Sequence, residues 1–236
     1  MVVENLKKYF KTDLGIVKAV DGISFTIEKG ETFGLVGESG SGKSTTAFTI
    51  MGVYAPTGGR IFFKGEEVSL TRVTKRPKSI KKQMQMVFQD PGSSLNPRQS
   101  IKQILELPLK VYNIAEEKRR EKIVELLERV ELPRDYLGRY PPEIGGGEKQ
   151  MVAIARAMAT DPSLIALDEP TSALDVSMQG KIINTVMRLQ KEFNYSYLFI
   201  THDLSLMRNV ASRVGIMYLG KLMEVAPSAE FFHKPL

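Results

Sequence analysis

The residues Gly37-Glu-Ser-Gly-Ser-Gly-Lys-Ser-Thr45 have types and spacing suited to binding phosphate groups. They match the pattern G-x-x-x-x-G-K-[ST] between an apolar run and a helical pattern, which is the context that makes the match meaningful. Glycines let backbone N–H groups wrap phosphate oxygens, and the helix N-terminus adds positive potential. In this pattern Lys43 reaches the β- and γ-phosphates and Ser44 offers its hydroxyl to Mg²⁺. The segment therefore predicts a phosphate site.

A second acidic group is needed to complete such a metal site, and Leu164-Ile-Ala-Leu-Asp-Glu169 supplies one where an apolar run ends. We expect Asp168 to hold Mg²⁺ through water and Glu169 to polarise the attacking water. The alternative is a strand end with two solvated acids. The phosphate loop makes the metal site the favoured interpretation.

Three consecutive glycines, Gly145, Gly146 and Gly147, stand directly before a segment with helical spacing of apolar residues. Glycine costs roughly 1 kcal/mol against alanine inside a helix. The run indicates either a flexible loop or a backbone that another group approaches closely. The glycines alone favour the flexible loop.

The composition indicates one compact domain without cysteine chemistry. At 236 residues, with 42% hydrophobic side chains, the chain can bury one substantial core. The absence of cysteine excludes disulfides, thiolate metal sites and thiol catalysis. The net charge of +6 could suit nucleic acid, an anionic membrane surface or a phosphorylated ligand. The densest basic run, residues 75–82, lacks interleaved aromatic residues and favours a solvated loop.

The sequence contains no targeting or membrane-spanning pattern. No stretch approaches 18 apolar residues, and the N-terminus lacks the charged and then apolar layout of a signal peptide. We therefore expect a soluble intracellular chain.

Two kinds of strand pattern frame these residues. Short, nearly continuous apolar runs predict buried parallel strands, at residues 32–36, 84–88, 163–167 and 197–200. Alternating patterns at residues 20–27 and 60–68 predict a half-exposed antiparallel sheet. A helical stripe over residues 182–193 lies between two apolar runs, which predicts β-α-β units and a mostly parallel sheet.

The middle of the chain has a different pattern. Between Pro91 and Pro142 the strand signals vanish, and apolar residues at helical spacing predict two amphipathic helices bounded by Pro97, Pro108 and Pro133. We expect an inserted helical subdomain here.

Taken together, these motifs resemble the nucleotide-binding subunit of ATP-binding-cassette (ABC) transporters, over essentially the whole chain. The resemblance implies a RecA-like P-loop NTPase core with a mostly parallel sheet, an antiparallel β subdomain and an inserted helical subdomain. It implies one nucleotide-binding domain over residues 1–236, with the core at about 1–90 and 150–236 and the helical subdomain at about 91–149. ATP and Mg²⁺ are the expected ligands, and the loop residues expected to contact them are Gly37, Ser39, Gly40, Ser41, Gly42, Lys43, Ser44 and Thr45.

Further roles follow only from the resemblance. Val87-Phe-Gln-Asp-Pro-Gly-Ser-Ser-Leu-Asn-Pro97 is similar to the Q-loop, in which Gln89 would sense the metal and the attacking water. Ser172-Ala-Leu-Asp175 resembles the D-loop, a dimer contact. Thr201-His-Asp203 resembles the switch loop, in which His202 would contact the γ-phosphate. Near the N-terminus we expect Phe10, with Tyr9 as the alternative, to stack on adenine.

The glycine run corresponds to the family's signature Leu-Ser-Gly-Gly-Gln, which closes over ATP held by a partner subunit. Here it reads Ile144-Gly-Gly-Gly-Glu148, so Gly145 replaces the serine and Glu148 replaces the glutamine. Backbone donors of Gly145, Gly146 and Gly147 remain available to a phosphate, but the hydroxyl is lost and a carboxylate is added. Because a homodimer would carry both changes at both sites, we expect a different chain as the second cassette. The alternative is that the two substitutions are engineered or tolerated, with the Gly146 and Gly147 backbone supplying enough contact.

Within the superfamily, the segments around Gln89, Asp175 and His202 look most like the dipeptide/oligopeptide importer group. This implies an ATPase motor at the cytoplasmic face of the membrane, with two transmembrane permease subunits and, indirectly, an extracellular solute-binding protein. Related importers carry nickel or oligosaccharides, and these stay open as alternatives. The family tends to continue past residues 231–236, so we expect a shortened form.

Soluble nucleic-acid-associated ATPases of the superfamily are the rival class. They typically carry a second cassette, a long coiled-coil insertion or a basic arm, and this sequence has none of these features. We therefore expect no nucleic-acid partner. A third hypothesis is a nucleotide-binding regulatory module without turnover. The intact Glu169 and His202 argue against it.

Overall fold

The computed structural model describes residues 1–69 and 75–233, which fold into two compact units. The first unit contains the described residues of Met1–Lys81, Ala166–Asp168 and Ser196–Leu236, and the second contains Lys82–Ile165 and Glu169–Tyr195. Of the C-terminal segment 231–236 discussed above, residues 234–236 lie outside the described part. The domain boundaries drawn from the sequence stay a prediction.

An antiparallel sheet in the first unit has the strand order β2-β1-β4-β5. Its strands are β1 (Val2–Thr12), β2 (Gly15–Thr26), β4 (Gly58–Phe63) and β5 (Glu66–Glu67). Along β2 the buried side chains of Ile23 and Phe25 alternate with the exposed Ser24. The half-exposed antiparallel sheet predicted from the alternating pattern is confirmed.

The same unit contains a mostly parallel sheet. Its central strand β3 (Thr32–Val36) is parallel to β8 (Ser196–Thr201) on one side and to β9 (Arg213–Tyr218) on the other. Strand β10 (Lys221–Pro227) pairs antiparallel with β9. Strand β7 (Leu164–Asp168), whose residues 166–168 belong to this unit, lies next to β8. Every residue of β3, β7 and β8 is buried, as expected of strands covered on both faces.

Helices of the first unit follow its strands. Helix α1 (Lys43–Met51) follows β3, α8 (Leu204–Val210) follows β8, and α9 (Ser228–His233) follows β10. Helix α2 (Lys78–Gln83) begins in this unit and ends in the second. The rings of Phe25 and Phe33 stack with centroids 4.6 Å apart, which joins the antiparallel strand β2 to the central parallel strand β3.

The second unit is mainly helical. Its helices are α3 (Pro91–Ser94), α4 (Ile101–Val111), α5 (Glu116–Arg129), α6 (Gly146–Met158) and α7 (Val176–Phe193), and it contains the strand β6 (Met84–Val87). Helix α6 is largely buried and packs on each of the other four helices. Residues 91–142 are all described and contain no strand, as the sequence predicted.

The predicted helix boundary at Pro108 is wrong, because α4 runs through this residue to Val111. Proline removes one backbone hydrogen bond from a helix. Here the apolar face continues on both sides of it, with Ile104, Leu105 and Leu109 buried, and a capping box at Ser100 fixes the helix start. Packing and capping therefore outweigh the lost bond.

Among helices in the described ranges, none combines the length and the apolar character needed to cross a bilayer.

Candidate functional site

The phosphate-loop motif forms a strand–loop–helix unit. Strand β3 ends at Val36, the loop follows, and α1 begins at Lys43. Gly40 and Gly42 have φ angles of +79° and +107°, a region that side chains disfavour. This geometry agrees with the motif and turns the loop back towards the helix start.

Close backbone contacts hold the loop from both sides. A Cβ added at Gly42 would lie 2.0 Å from the carbonyl oxygen of Ala19, and one at Gly37 would lie 2.1 Å from that of Met217. The N–H of Gly220 donates to the carbonyl of Ser41 at 2.9 Å. These glycines are therefore required by packing of the loop itself, a role that the motif alone did not indicate.

The lysine and serine of the motif lie at the start of α1. The ammonium group of Lys43 donates to the carbonyls of Gly37 and Glu38 at 2.7 and 2.9 Å. The Ser44 hydroxyl lies 2.9 Å from Oδ1 of Asp168, which is only 2% exposed. The structure thus brings together the two groups that the sequence assigned to Mg²⁺.

The other loop residues differ in exposure. Ser39 and Gly40 are exposed at the rim, and Thr45 is half-buried in the first turn of α1. Ser41 is 3% exposed, and its hydroxyl has no hydrogen-bond partner among the described residues. Backbone N–H groups and hydroxyls of this kind are suited to phosphate oxygens.

In the second unit, Gln89 and Glu169 lie together. The side-chain amide of Gln89 donates to Oε2 of Glu169 at 3.3 Å. Glu169 has a φ of +43°, unusual for a residue with a side chain. Strained backbone of this kind costs on the order of 1–3 kcal/mol and clusters at functional sites. The predicted base is thus paired with the predicted Q-loop amide.

The predicted D-loop residues begin at Ser172, three positions after Glu169. The N–H of Ser172 donates to the carbonyl of Glu169 at 3.3 Å. Asp175 is the N-cap of α7, and its carboxylate accepts from the N–H of Met178 at 3.0 Å. The segment is therefore a short turn between the strand end and a capped helix.

His202 and Phe10 both belong to the first unit. His202 is exposed and follows the buried Thr201 at the end of β8. Phe10 on β1 is half-buried and packs edge-on against Tyr54, with ring centroids 5.4 Å apart. Tyr9 has its hydroxyl bonded to Asp21, so it is held in place by a polar contact. The predicted roles of His202 and Phe10 stay predictions.

The three glycines of the signature segment open α6. Gly145 is the N-cap, with ordinary φ and ψ of −70° and 170° and no side-chain cap. A Cβ at Gly146 would lie 3.2 Å from Leu174, and one at Gly147 would lie 2.2 Å from the Met178 side chain. Of the two readings left open by the sequence, close approach applies at Gly147, and the approaching group is α7.

The Glu148 carboxylate folds back over the helix start. A Cβ on Gly145 would lie 2.5 Å from Oε2 of Glu148. Glu148 is in the first turn of α6, where a negative charge interacts favourably with the helix dipole. The carboxylate therefore lies beside the position that the serine side chain of the family signature would take.

The family assignment rests on comparison with known proteins. The family model described as "ABC transporter" matches residues 20–172, which is more than half of the chain. This chain belongs to the ABC transporter family. The resemblance inferred from the motifs is confirmed, and with it an ATP-binding, ATP-hydrolysing function and the ABC cassette fold.

Similar ABC proteins cover nearly the whole chain. "Oligopeptide transport ATP-binding protein AppF" of Bacillus subtilis (strain 168) is 49% identical over 99% of this chain and 74% of its own length. "Dipeptide transport ATP-binding protein DppF" of Escherichia coli (strain K12) is 40% identical over 98% of this chain and 71% of its own length. This chain is thus an ABC ATPase homologous to peptide-importer ATP-binding proteins.

Solved ABC cassettes have the same fold. A dimeric post-hydrolysis state of the cassette MJ0796, bound to ADP and Pi, superposes with a TM-score of 0.83 at 28% identity and covers 96% of this chain and 98% of that one. The cbiO1 protein of Clostridium perfringens, part of the transporter complex cbiONQ, gives 0.84 at 25% identity over 99% of this chain and 90% of that one.

Proposed function

We propose that this chain binds Mg²⁺–ATP and that hydrolysis of the ATP energises peptide import by a membrane complex. The observation that carries the nucleotide site is the contact of the Ser44 hydroxyl with Asp168, 2.9 Å apart, at the start of the phosphate-loop helix. ATP phosphates would lie against the loop backbone and the Lys43 ammonium. Phe10 would stack on the adenine ring.

The residues present fit a magnesium ion. Mg²⁺ prefers oxygen ligands and usually keeps waters and substrate phosphates with one or two protein groups. In the described part of the chain there is no cluster of three or more His, Cys, Asp or Glu that could hold a metal alone. Ser44 would be a direct ligand, Asp168 would hold the ion through water, and Gln89 would contact it. When bound, the ion would neutralise phosphate charge.

Glu169 is the proposed base. Its carboxylate is held by the Gln89 amide at 3.3 Å, which would fix its direction. Glu169 would accept a proton from the attacking water, and His202 would contact the γ-phosphate. A positioned base contributes about 10² to 10⁴ in rate.

Peptides are the proposed solute because the relatives named above are oligopeptide and dipeptide transport proteins. The permeases would be two transmembrane subunits, with an extracellular solute-binding protein selecting the solute. The chain would lie at the cytoplasmic face of the membrane. Nickel and oligosaccharides are the competing solutes, and a nucleic-acid-associated ATPase is the competing class.

The second cassette is proposed to be a different chain. In a head-to-tail dimer each ATP would lie between one subunit's phosphate loop and the other's signature. The departures at Gly145 and Glu148 would then weaken only one of the two sites. This chain's Lys43, Asp168 and Glu169 would face the partner's signature and form the competent site.

Reconstitution tests the proposal. The chain is co-expressed with its candidate permease and partner-cassette subunits, purified through a tag on one permease, and placed in proteoliposomes. We expect co-purification and ATP-dependent uptake of labelled di- and oligopeptides, lost with Lys43→Ala. Uptake of nickel or an oligosaccharide instead would overturn the peptide assignment, and failure to co-purify combined with DNA or RNA binding would favour the rival class.

A further inference from the structure

A cavity of about 200 Å³ lies within the second unit, among the ends of α2 and α4, the first half of α5 and the turn after α6. None of the residues that line it belongs to the predicted nucleotide site. The cavity is therefore distinct from the predicted nucleotide site.

One side of the cavity is apolar. Leu109 and Ala159, which line it, are 3% and 2% exposed. Ile114 completes this wall, and its backbone N–H donates a hydrogen bond of 3.0 Å to the carbonyl of Leu109. The half-buried ring of Tyr112 adds an aromatic surface. Burial raises the pKa of the Tyr112 hydroxyl above its usual value, so this group stays neutral and able to donate a hydrogen bond.

The other side is cationic. Lys82, Lys118 and Lys122 line the cavity together with Asp161. Lys122 is already paired, at 3.0 Å from Asp161 and 3.4 Å from Glu125. Within the described ranges the ammonium groups of Lys82 and Lys118 form no ion pair or hydrogen bond.

The single acidic group of the lining does not offset these charges. Asp161 is shared between Lys122 and Arg129, whose guanidinium lies 3.3 Å away. The cavity therefore has a surplus of positive charge from Lys82 and Lys118, beside an apolar wall.

The walls are fixed before any ligand binds. The Thr160 hydroxyl donates to the carbonyl of Lys82 at 2.8 Å, which ties the turn after α6 to the segment before β6. Asp161 has a φ of +48°, and its N–H donates to the carbonyl of Met158 at 2.9 Å. A preformed cavity loses less entropy when it binds a small ligand.

We propose that this cavity binds a small organic anion, a carboxylate attached to an aromatic or short apolar body. The carboxylate would lie between Lys82 and Lys118, and the body against Leu109 and Ala159. Tyr112 would donate a hydrogen bond at the boundary between the two parts.

Phenylacetate is the probe, with acetate and 2-phenylethanol as matched probes that keep only the charge or only the apolar body. The full chain is first saturated with Mg²⁺–ADP, so that the phosphate loop is occupied. Amide shifts of residues 109–114 and 159–161 are followed by NMR during titration. We expect phenylacetate to bind with a dissociation constant on the order of a millimolar, and each matched probe to bind at least about fivefold more weakly.

The double variant Lys82→Gln/Lys118→Gln should weaken phenylacetate binding about fivefold, because it removes two exposed charge pairs with the carboxylate and each such pair contributes little. Lys102→Gln/Lys191→Gln removes the same charge from exposed positions outside the cavity and should change the affinity by less than about twofold. Unchanged ADP binding shows that each variant is folded. Equal losses in the two variants, acetate binding as tightly as phenylacetate, or shifts confined to other residues would each overturn the proposal.

Discussion

At the scale of the residue, Asp168 and Glu169 are neighbours in sequence with different surroundings. Asp168 is 2% exposed and contacts the Ser44 hydroxyl, whereas Glu169 is half-buried and accepts from Gln89. The φ of +43° at Glu169 ends the strand and turns its side chain out of the strand alternation. Two adjacent carboxylates thus have different contacts, which is consistent with the proposal that Asp168 serves the metal and Glu169 the water.

Replacing the loop lysine tests nucleotide binding. Lys43→Ala should weaken Mg²⁺–ATP binding at least about a hundredfold, because two charge-assisted hydrogen bonds to phosphate oxygens contribute about 1.5 kcal/mol each or more. Isothermal titration calorimetry measures the affinity. Lys29→Ala removes an exposed lysine of the same unit and should leave it unchanged. Wild-type affinity in the Lys43 variant would remove the basis for the site.

Replacing the proposed base should separate binding from turnover. Glu169→Gln keeps the size and the oxygen that accepts from Gln89 but loses the basic carboxylate, so ATP should still bind while turnover falls about 10² to 10⁴-fold. Phosphate release by the assembled transporter is the measurement, and Glu66→Gln at an exposed position is the control. Unchanged turnover would mean that another residue is the base.

At the scale of the element, the phosphate loop depends on strands that are distant in sequence. Its conformation is set locally by glycines, which is why the motif could predict it. The carbonyl groups that confine it belong to Ala19 on β2 and Met217 on β9. Any residue can supply a carbonyl, so no sequence pattern could identify these two.

The loop packing predicts unequal costs for two similar substitutions. Gly42→Ala combines an unfavourable φ of +107° with a Cβ 2.0 Å from the carbonyl of Ala19, and should destabilise folding by at least about 3 kcal/mol. Gly40 also has a positive φ, but a Cβ added there would meet no atom within 4 Å, so Gly40→Ala should destabilise folding by only about 1 kcal/mol. Urea denaturation compares the two. Equal losses would show that loop packing contributes nothing.

A helix cap should make stability depend on pH. Asp203 caps α8 by accepting from the hydroxyl and N–H of Ser205, at 2.6 and 2.8 Å, and these bonds lower the pKa of its carboxyl. A lowered folded pKa adds stability above the unfolded value of about 3.9, and this stability is lost as the pH falls through the folded pKa. Asp203→Ala should therefore lower the free energy of unfolding by about 1 kcal/mol at pH 7 and by less below about pH 4.

Urea denaturation over a pH series measures this difference. Asp203→Asn keeps a capping oxygen without the titrating group, so its stability relative to Asp203→Ala should stay constant with pH. A cost of Asp203→Ala that does not shrink in acid would contradict the role of the carboxylate.

Strands that form a nearly continuous apolar run were predictable from the sequence, and strands without such a run were not. The apolar runs gave β3, β6, β7 and β8 to within two residues. Strand β9 was missed because Arg213 and Gly215 interrupt its apolar residues, so it contains no continuous apolar run. The bond between Gln89 and Glu169 was likewise not readable from the sequence, since the two residues are 80 positions apart.

At the scale of the whole molecule, the signature segment bears on which chains assemble. A Cβ at Gly147 would lie 2.2 Å from the Met178 side chain, so packing within this chain explains its lack of a side chain, and a Cβ at Gly146 would make a tight contact of 3.2 Å with Leu174. Gly145 is different, since its backbone is ordinary and only the Glu148 carboxylate approaches it. The departures at Gly145 and Glu148 therefore act on the same space.

Restoring both residues tests the need for an unlike partner. Gly145→Ser with Glu148→Gln supplies a hydroxyl and removes the charge, and a hydrogen bond to a charged oxygen contributes on the order of 1.5 to 3 kcal/mol. ATP-driven dimerisation of the isolated chain, followed by light scattering, should tighten at least about tenfold, and hydrolysis should rise with it. The original chain measured beside it provides the reference.

The single variants separate the two contributions. Gly145→Ser alone places a Cβ 2.5 Å from Oε2 of Glu148, so the carboxylate must move before the hydroxyl can reach a phosphate, and a smaller gain than in the double variant is expected. Glu148→Gln alone removes the repulsion without adding a donor. Equal gains from Gly145→Ser and from the double variant would show that the carboxylate moves away freely. No gain in dimerisation or hydrolysis from the double variant would show that these side chains do not limit self-assembly, and the requirement for a different second cassette would fail.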